Sequence, residues 1–333
     1  MTDIDQPVPT RPGPGPKTWK LTLAYDGTDF SGWQIQPGSP TIQGELQAAL
    51  GRVTGESPLP QGSGRTDAGV HALCQVASFE LQANIPPENL LRALNRTLPA
   101  SIRILESRTV RSTFHARHSA VSKTYEYRVF REPICPPFLA RYVHACPSSM
   151  DVEALQRSAA LFEGRHDFLS FAATDPDLTA RTAPPPNGLE GAVGRGSIPG
   201  KSDNESTRAL APEASFSSHP PDNQLSTGTP PPPANPLLLS KTAIRTIFSS
   251  TWEQQKTESG NLLIYRVRGS GFLHHMVRNL VGTMLDVGRG RLAVEDIPKI
   301  LAARSRAAAG PTAPAQGLFL HSVEYPPQEE NDP

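Results

Sequence analysis

The sequence is organised around one loop, Gly62-Ser63-Gly64-Arg65-Thr66-Asp67-Ala68-Gly69-Val70-His71-Ala72. Its glycines allow tight backbone turns and close approach to a ligand, and Arg65 and Asp67 are the charged side chains that project from it. Residues 73–81, which follow directly, are rich in β-forming residues in a roughly alternating pattern and predict a strand. The loop therefore presents a carboxylate next to a rigid element.

The residues alone leave three interpretations of this loop open. It could be a turn in which Asp67 accepts a hydrogen bond from a neighbouring backbone amide. It could bind phosphate, although its glycine spacing fits neither G-x-G-x-x-G nor G-x-x-x-x-G-K-[ST], and no suitable strand and helix frame it. It could also hold a catalytic carboxylate beside a phosphate-binding Arg65.

Proline is distributed unevenly along the 333 residues, a length that could hold two domains. Five prolines fall in residues 1–16 and 13 in residues 174–240, where Phe216 is the only aromatic residue. Such segments bury too little apolar surface to offset the entropy lost on ordering. We predict a disordered tail at 1–16, a disordered proline-rich insertion at 174–240 and an acidic tail at 326–333.

The net charge of zero hides a basic folded part. The insertion, the first tail and the acidic tail carry net charges of −3, −1 and −3, which leaves +7 on residues 17–173 and 241–325. A surplus of this size suits phosphate contacts, although any anionic partner would fit it equally well.

The cysteines and histidines give no sign of a disulfide framework or a metal site. Cys74, Cys135 and Cys146 are odd in number and lack C-x-x-C spacing. His274 and His275 are adjacent, and neighbouring side chains are expected to project in different directions, so we predict no metal. With neither a signal sequence nor an apolar run of spanning length, we predict a cytoplasmic protein.

Hydrophobic periodicity predicts an α+β protein. Residues 19–25, 73–81 and a segment starting at Ile102 alternate as strands, and two amphipathic helices lie between them. Thr41 is a suitable N-cap for the first helix, and Pro86-Pro87 a suitable start for the second. Later elements are predicted as a strand at 122–130, helices at 151–163, 272–287 and 294–304, a strand pair near 244–248 and 263–267, and a strand at 318–325. This order suggests helices packed on one face of a sheet.

Four motifs share a family resemblance. The string G-R-T-D-A-G-V-H-A at 64–72 resembles, residue for residue, the catalytic loop of the TruA-type tRNA pseudouridine synthases. Residues 25–36, Lys-Thr-Tyr-x-Tyr-Arg at 123–128 and residues 271–282 are similar to further signatures of that family. The resemblance implies the pseudouridine synthase fold: two similar α/β halves, here 17–120 and 121–325, with largely antiparallel sheets joined around a central basic cleft.

The same resemblance implies roles for five residues. Asp67 would be the catalytic nucleophile or base, and Arg278 would pair with it. Tyr125 would stack on the target base. Arg65 would contact a phosphate or take the place of the displaced base. Leu318, in a stretch at 311–318 that resembles the family's closing loop, would line the pocket.

The implied activity is isomerisation of uridine to pseudouridine at positions 38, 39 and 40 of the tRNA anticodon stem-loop, by a homodimer that uses no cofactor. The chain departs from the family pattern after Phe171, where the insertion replaces a short link, so RNA contacts that the family makes in this link are not carried over to this chain. Two other classes deserve comparison: a noncatalytic RNA-binding module, and a hydrolase that uses Asp67 with His71 or His274.

Overall fold

The computed structural model of the protein describes residues 15–173 and 243–327. The predicted insertion at 174–240 lies outside the described residues, as do nearly all of the predicted tails at 1–16 and 326–333, so these three predictions stay predictions. No helix within the described ranges is both long enough and apolar enough to cross a membrane.

One large sheet dominates the described part of the chain. Its ten strands are β1 (Lys17–Tyr25), β2 (Gln61–Gly62), β3 (His71–Leu81), β4 (Ile102–Val110), β5 (Ser122–Phe130), β6 (His144–Ala145), β7 (Gly164–Asp167), β8 (Ile244–Thr257), β9 (Gly260–Gly269) and β10 (Leu318–Glu324). The strand order is β4-β1-β3-β10-β5-β9-β8-β7, with β2 paired to β3 and β6 to β5. Only the β3–β10 and β5–β6 pairs are parallel. The predicted α+β class with a largely antiparallel sheet is confirmed.

Six α-helices accompany the sheet within the described ranges. They are α1 (Ile42–Thr54), α2 (Pro87–Thr97), α3 (Pro137–Ala140), α4 (Val152–Ala160), α5 (Met276–Gly288) and α6 (Asp296–Ala303). Thr41 caps α1 as predicted, since its side chain accepts a hydrogen bond from the Gly44 amide at 3.2 Å. The prediction of a helix over 272–287 was wrong at its start, because residues 272–275 precede α5.

The core forms where helices cover one set of strand side chains. On β1, Trp19, Leu21 and Leu23 alternate with shorter or polar residues and are fully buried. Leu46 and Leu50 of α1 are buried in the same cluster, which also takes in most of the apolar face of α5. Burial of a large apolar side chain contributes about 1.5–3 kcal/mol, so this cluster holds the elements around the site in fixed positions.

The last strand completes the middle of the sheet. β10 lies between β3 and β5, with Phe319 opposite His71 and Leu320 opposite Tyr125. Because β3 and β10 are parallel, the loops that precede them meet at the same edge of the sheet. The sheet thereby brings the glycine-rich loop, the segment before Leu318 and the tyrosines of β5 into one neighbourhood.

Candidate active site

The backbone of the glycine-rich loop rests on the segment that follows β1. The Trp33 amide donates to the Thr66 carbonyl at 3.0 Å, and the hydroxyls of Tyr25 and Thr66 lie 2.8 Å apart. Gly32 has a φ of +89°, and a Cβ atom there would lie 2.5 Å from the Thr66 carbonyl oxygen. Trp33 is 2% exposed and packs against Gly62. The close contact between Gly32 and the Thr66 carbonyl fixes the distance between the loop and this segment.

Gln75 of β3 ties down the start of the loop. Its fully buried side chain accepts from the Ser63 hydroxyl at 2.6 Å and donates to the Gly64 carbonyl at 2.8 Å. No motif in the sequence marks Gln75, although a buried side-chain amide needs hydrogen-bond partners. The loop is thus held from both sides before it reaches Asp67.

Asp67 pairs with Arg278 of α5. The Arg278 Nη1 donates to Asp67 Oδ2 at 3.0 Å, and the two side chains are 16% and 18% exposed. Arg278 Nε also donates to the Ala313 carbonyl at 2.7 Å, while the Ala313 amide donates back to the Arg278 carbonyl at 3.1 Å. The guanidinium therefore locks the carboxylate and the segment before β10 together through charge-assisted and backbone hydrogen bonds.

Two histidines also face this carboxylate. His274 Nε2 lies 3.5 Å from Oδ1, and His275 Nε2 lies 3.3 Å from Oδ2. The expectation that these neighbours point apart was wrong: their rings lie against each other, with centroids 4.0 Å apart and planes tilted by 35°. His275 adopts the left-handed conformation, with a φ of 57°, and this turn before α5 swings both rings to the same side. Burial lowers the pKa of His275, which favours the neutral imidazole.

Asp67, His274 and His275 are also the described residues that could hold a metal, since their ligand atoms lie within 4.8 Å of one another. Two imidazoles and a carboxylate are a donor set that transition metals accept. The Arg278 guanidinium already occupies one carboxylate oxygen and repels a second cation. The donor set favours a metal and the Arg278 guanidinium opposes one, so the absence of a metal stays a prediction.

Tyr125 of β5 lies beside the loop. Its side chain is 7% exposed and meets Phe272 edge-on, with ring centroids 5.0 Å apart. A Cβ atom on Gly64 would lie 3.8 Å from its hydroxyl, which places that hydroxyl against the loop. Burial raises the pKa of the Tyr125 phenol, and the charges of Tyr25 and Asp67 add to the shift. The phenol is therefore neutral, with its polar end near the carboxylate.

The remaining predicted site residues have less defined surroundings. Leu318 is 5% exposed at the start of β10, opposite Tyr127, and belongs to the main core cluster. Arg65 is exposed in the same loop as Asp67. The roles assigned to both residues stay predictions.

His71, the other histidine considered for a hydrolase, serves the scaffold. It is 1% exposed, its Nδ1 accepts from the Gly27 amide at 3.1 Å, and its Nε2 lies 3.0 Å from the Arg141 carbonyl oxygen. Burial lowers the pKa of its imidazole. The described hydrogen bonds and ion pairs of His71 do not include Asp67, so a His71–Asp67 pair has no geometric support.

The sequence of the chain is similar to those of known proteins of one family. A family model described as tRNA pseudouridine synthase matches residues 22–119 and 238–326. Proteins named tRNA pseudouridine synthase A are similar over 92% of this chain in Solibacter usitatus (43% identical, 98% of the relative), Moorella thermoacetica (39%, 98%) and Lacticaseibacillus casei (36%, 99%). The chain therefore belongs to the tRNA pseudouridine synthase family, whose members are isomerases.

Proposed function

We propose that the protein converts uridine to pseudouridine at positions 38, 39 and 40 of the tRNA anticodon stem-loop, acting in the cytoplasm as a homodimer without cofactor or metal. The observation that carries the proposal is the partly buried Asp67–Arg278 pair next to Tyr125, in a chain of this family. Chromatography with light scattering tests the dimer, which a monomeric mass at micromolar concentration would contradict.

The reaction exchanges one bond for another within a single nucleoside. The N1–C1′ bond breaks, the uracil turns, C5 bonds to C1′, and the proton lost from C5 is balanced by one gained at N1. Asp67 would act as an anion that attacks the sugar, attacks the ring or removes a sugar proton. Arg278 stabilises the charged carboxylate and aims it, while the neutral His275 adds a second contact to Oδ2.

Substrate binding would use the remaining residues around the carboxylate. The target base must leave its stack, which costs a few kcal/mol, and the face of Tyr125 would hold it once extruded. Arg65 would replace the displaced base or contact a phosphate, and Leu318 would pack against the base. The net charge of +7 on the predicted folded part suits recognition of the RNA backbone and shape.

The decisive change is Asp67→Ala. We expect this variant to bind an anticodon-arm transcript within about threefold of wild type and to form no pseudouridine, because it loses the reacting group but few backbone contacts. Wild type should be active in EDTA without added nucleotide. Turnover by Asp67→Ala would refute the catalytic assignment, and loss of wild-type activity in EDTA would refute the metal-free one.

Arg278→Leu tests the partner of the carboxylate. It should lower kcat by at least about a hundredfold, since Asp67 then loses its charge-assisted hydrogen bond and its orientation. Arg291→Leu is the matched control, because Arg291 is exposed and pairs with Asp286 instead. Near-normal turnover by Arg278→Leu would remove its assigned role.

A further inference from the structure

Lys123 of β5 is a poorly exposed cation, and the described residues place no carboxylate in an ion pair with it. Its ammonium donates to the Ser63 carbonyl, and within residues 15–173 and 243–327 it forms no ion pair. Burial, together with the charges of Arg117 and Arg245, lowers the pKa of Lys123 to about 8, and no carboxylate of the described residues raises it. Desolvating an ammonium without a counter-ion destabilises a protein, and an anion of a bound ligand would offset this cost.

The two arginines make this place more positive. Burial lowers the pKa of Arg245, and the charge of Arg117 lowers it as well. Both arginines also act on Lys123, so the three cations lie close enough to repel one another. Arg117 is exposed and has no ion pair in the described part of the chain. Arg245 is the second residue of β8, and its Nε would lie 3.7 Å from a Cβ atom on Gly271, which shortly precedes the histidines that face Asp67. The cluster therefore borders the active site.

The Lys123 ammonium lies close to the reacting groups. A Cβ atom on Gly64 would lie 3.2 Å from Lys123 Nζ and 3.8 Å from the Tyr125 hydroxyl. Ammonium and phenol thus flank the same glycine of the loop that carries Asp67. In an extruded nucleotide, the anions nearest to the base are the phosphates on either side of its own ribose. A cation beside Tyr125 is placed to meet one of them.

We propose that Lys123, Arg117 and Arg245 form an anion site that binds a backbone phosphate adjoining the extruded uridine, an inference that rests on the proposed function. The bound phosphate supplies a counter-ion for the Lys123 ammonium, and it fixes the sugar of the target nucleotide relative to Asp67. Lys123 also holds the Ser63 carbonyl, so phosphate binding and the position of the loop are linked through one ammonium group.

The test neutralises one phosphate at a time. Anticodon-arm RNAs, each with a single methylphosphonate linkage, are titrated into Asp67→Ala protein with and without Lys123→Met. A methylphosphonate next to the target uridine should weaken RNA binding about tenfold when Lys123 is present. In Lys123→Met it should hardly change the RNA affinity. Lys123→Met should also reduce the slope of log Kd against log salt by about one. Lys256→Met, which changes an exposed lysine at the far end of β8, should keep both wild-type responses.

Arg117→Met is a second variant for the same titration, and it should fold even if Lys123→Met does not, since Arg117 is exposed. In Arg117→Met, the methylphosphonate next to the target uridine should no longer weaken RNA binding. Inorganic phosphate at 10 mM or below, roughly, should not displace the RNA, since a single phosphate ion lacks the other backbone contacts. Equal losses with and without each cation at every linkage would overturn the inference. If wild type forms no pseudouridine in the unmodified RNA, the proposed function itself fails.

Discussion

The buried charge of Lys123 makes the stability of the folded state depend on pH. Its pKa is about 8 in the fold and about 10.5 in an unfolded chain. Between these values the unfolded chain binds more protons, so the free energy of unfolding of wild type gains a positive contribution as pH rises through this window. The destabilising contribution of Lys123 is complete below pH 8 and is lost by about pH 10.5.

The prediction concerns the difference between Lys123→Met and wild type. The variant's advantage in free energy of unfolding should shrink by on the order of 2 kcal/mol between pH 7.5 and 10, measured by urea denaturation at each pH. The difference for Lys256→Met should stay constant over the same range. A pH-independent difference for Lys123→Met would show that this ammonium is not desolvated.

Single residues also mark where sequence reasoning succeeds and where it stops. Asp67 stood out because few other charged groups share its glycine-rich loop, but its contact with Arg278 joins positions 211 apart in sequence. That partner came from the family resemblance, since no local pattern encodes it. The two histidines were misjudged for a conformational reason: a non-glycine residue with positive φ is uncommon and has no signal in a hydrophobic pattern.

At the level of elements, the loop depends on a glycine that is distant in sequence. Gly32 has no room for a side chain above the Thr66 carbonyl, whereas Gly38 also has positive φ but nothing within 4 Å of its Cβ position. Both Gly→Ala changes therefore strain the backbone, and only the first pushes on the catalytic loop. Gly32→Ala should lower kcat about a hundredfold, because displacement of a reacting group by about 1 Å costs that much.

Gly38→Ala is the control for the backbone strain, and its kcat should stay within about twofold of wild type. Thermal unfolding of both variants shows that they fold, and single-turnover rates compare the chemical step. Equal rates for the two variants would mean that the loop tolerates displacement and that the contact with Gly32 has no catalytic consequence.

The strands and helices were predicted well where one period was sustained, and poorly where tertiary contacts decide. Strands β1, β3 and β5 appear within two residues of their predicted bounds. The placement of β10 between β3 and β5 joins the end of the chain to its first third, which periodicity cannot show. Helix α5 begins at Met276, four residues later than expected, because Phe272 packs on Tyr125 and the histidines turn towards Asp67.

At the level of the whole molecule, the described chain stops at Ala173 and resumes at Ala243, and both of these anchors are held by hydrogen bonds. The Ala173 amide donates to the His274 carbonyl at 3.0 Å, and the Phe168 amide donates to the Ala243 carbonyl at 3.1 Å. Residues 169–173 reach at most about 18 Å from Phe168, which lies about 5 Å from its neighbour Ala243, whereas the six residues left by deletion of 176–238 give seven Cα–Cα steps between Ala173 and Ala243, about 24 Å in total. The shortened chain can therefore reconnect without moving either anchor.

We expect this deletion to leave kcat/KM within about tenfold of wild type on anticodon-arm transcripts, since every contact around Asp67 described above remains and shortening a long loop changes its closure entropy little. A variant in which 176–238 is replaced by the same residues in scrambled order is the control, and should resemble the deletion. Thermal unfolding separates the two causes of failure. Lower activity with a lower Tm would indicate strain at the Ala173 and Ala243 anchors, whereas complete loss of activity with a wild-type Tm would show that the segment itself takes part in binding the RNA.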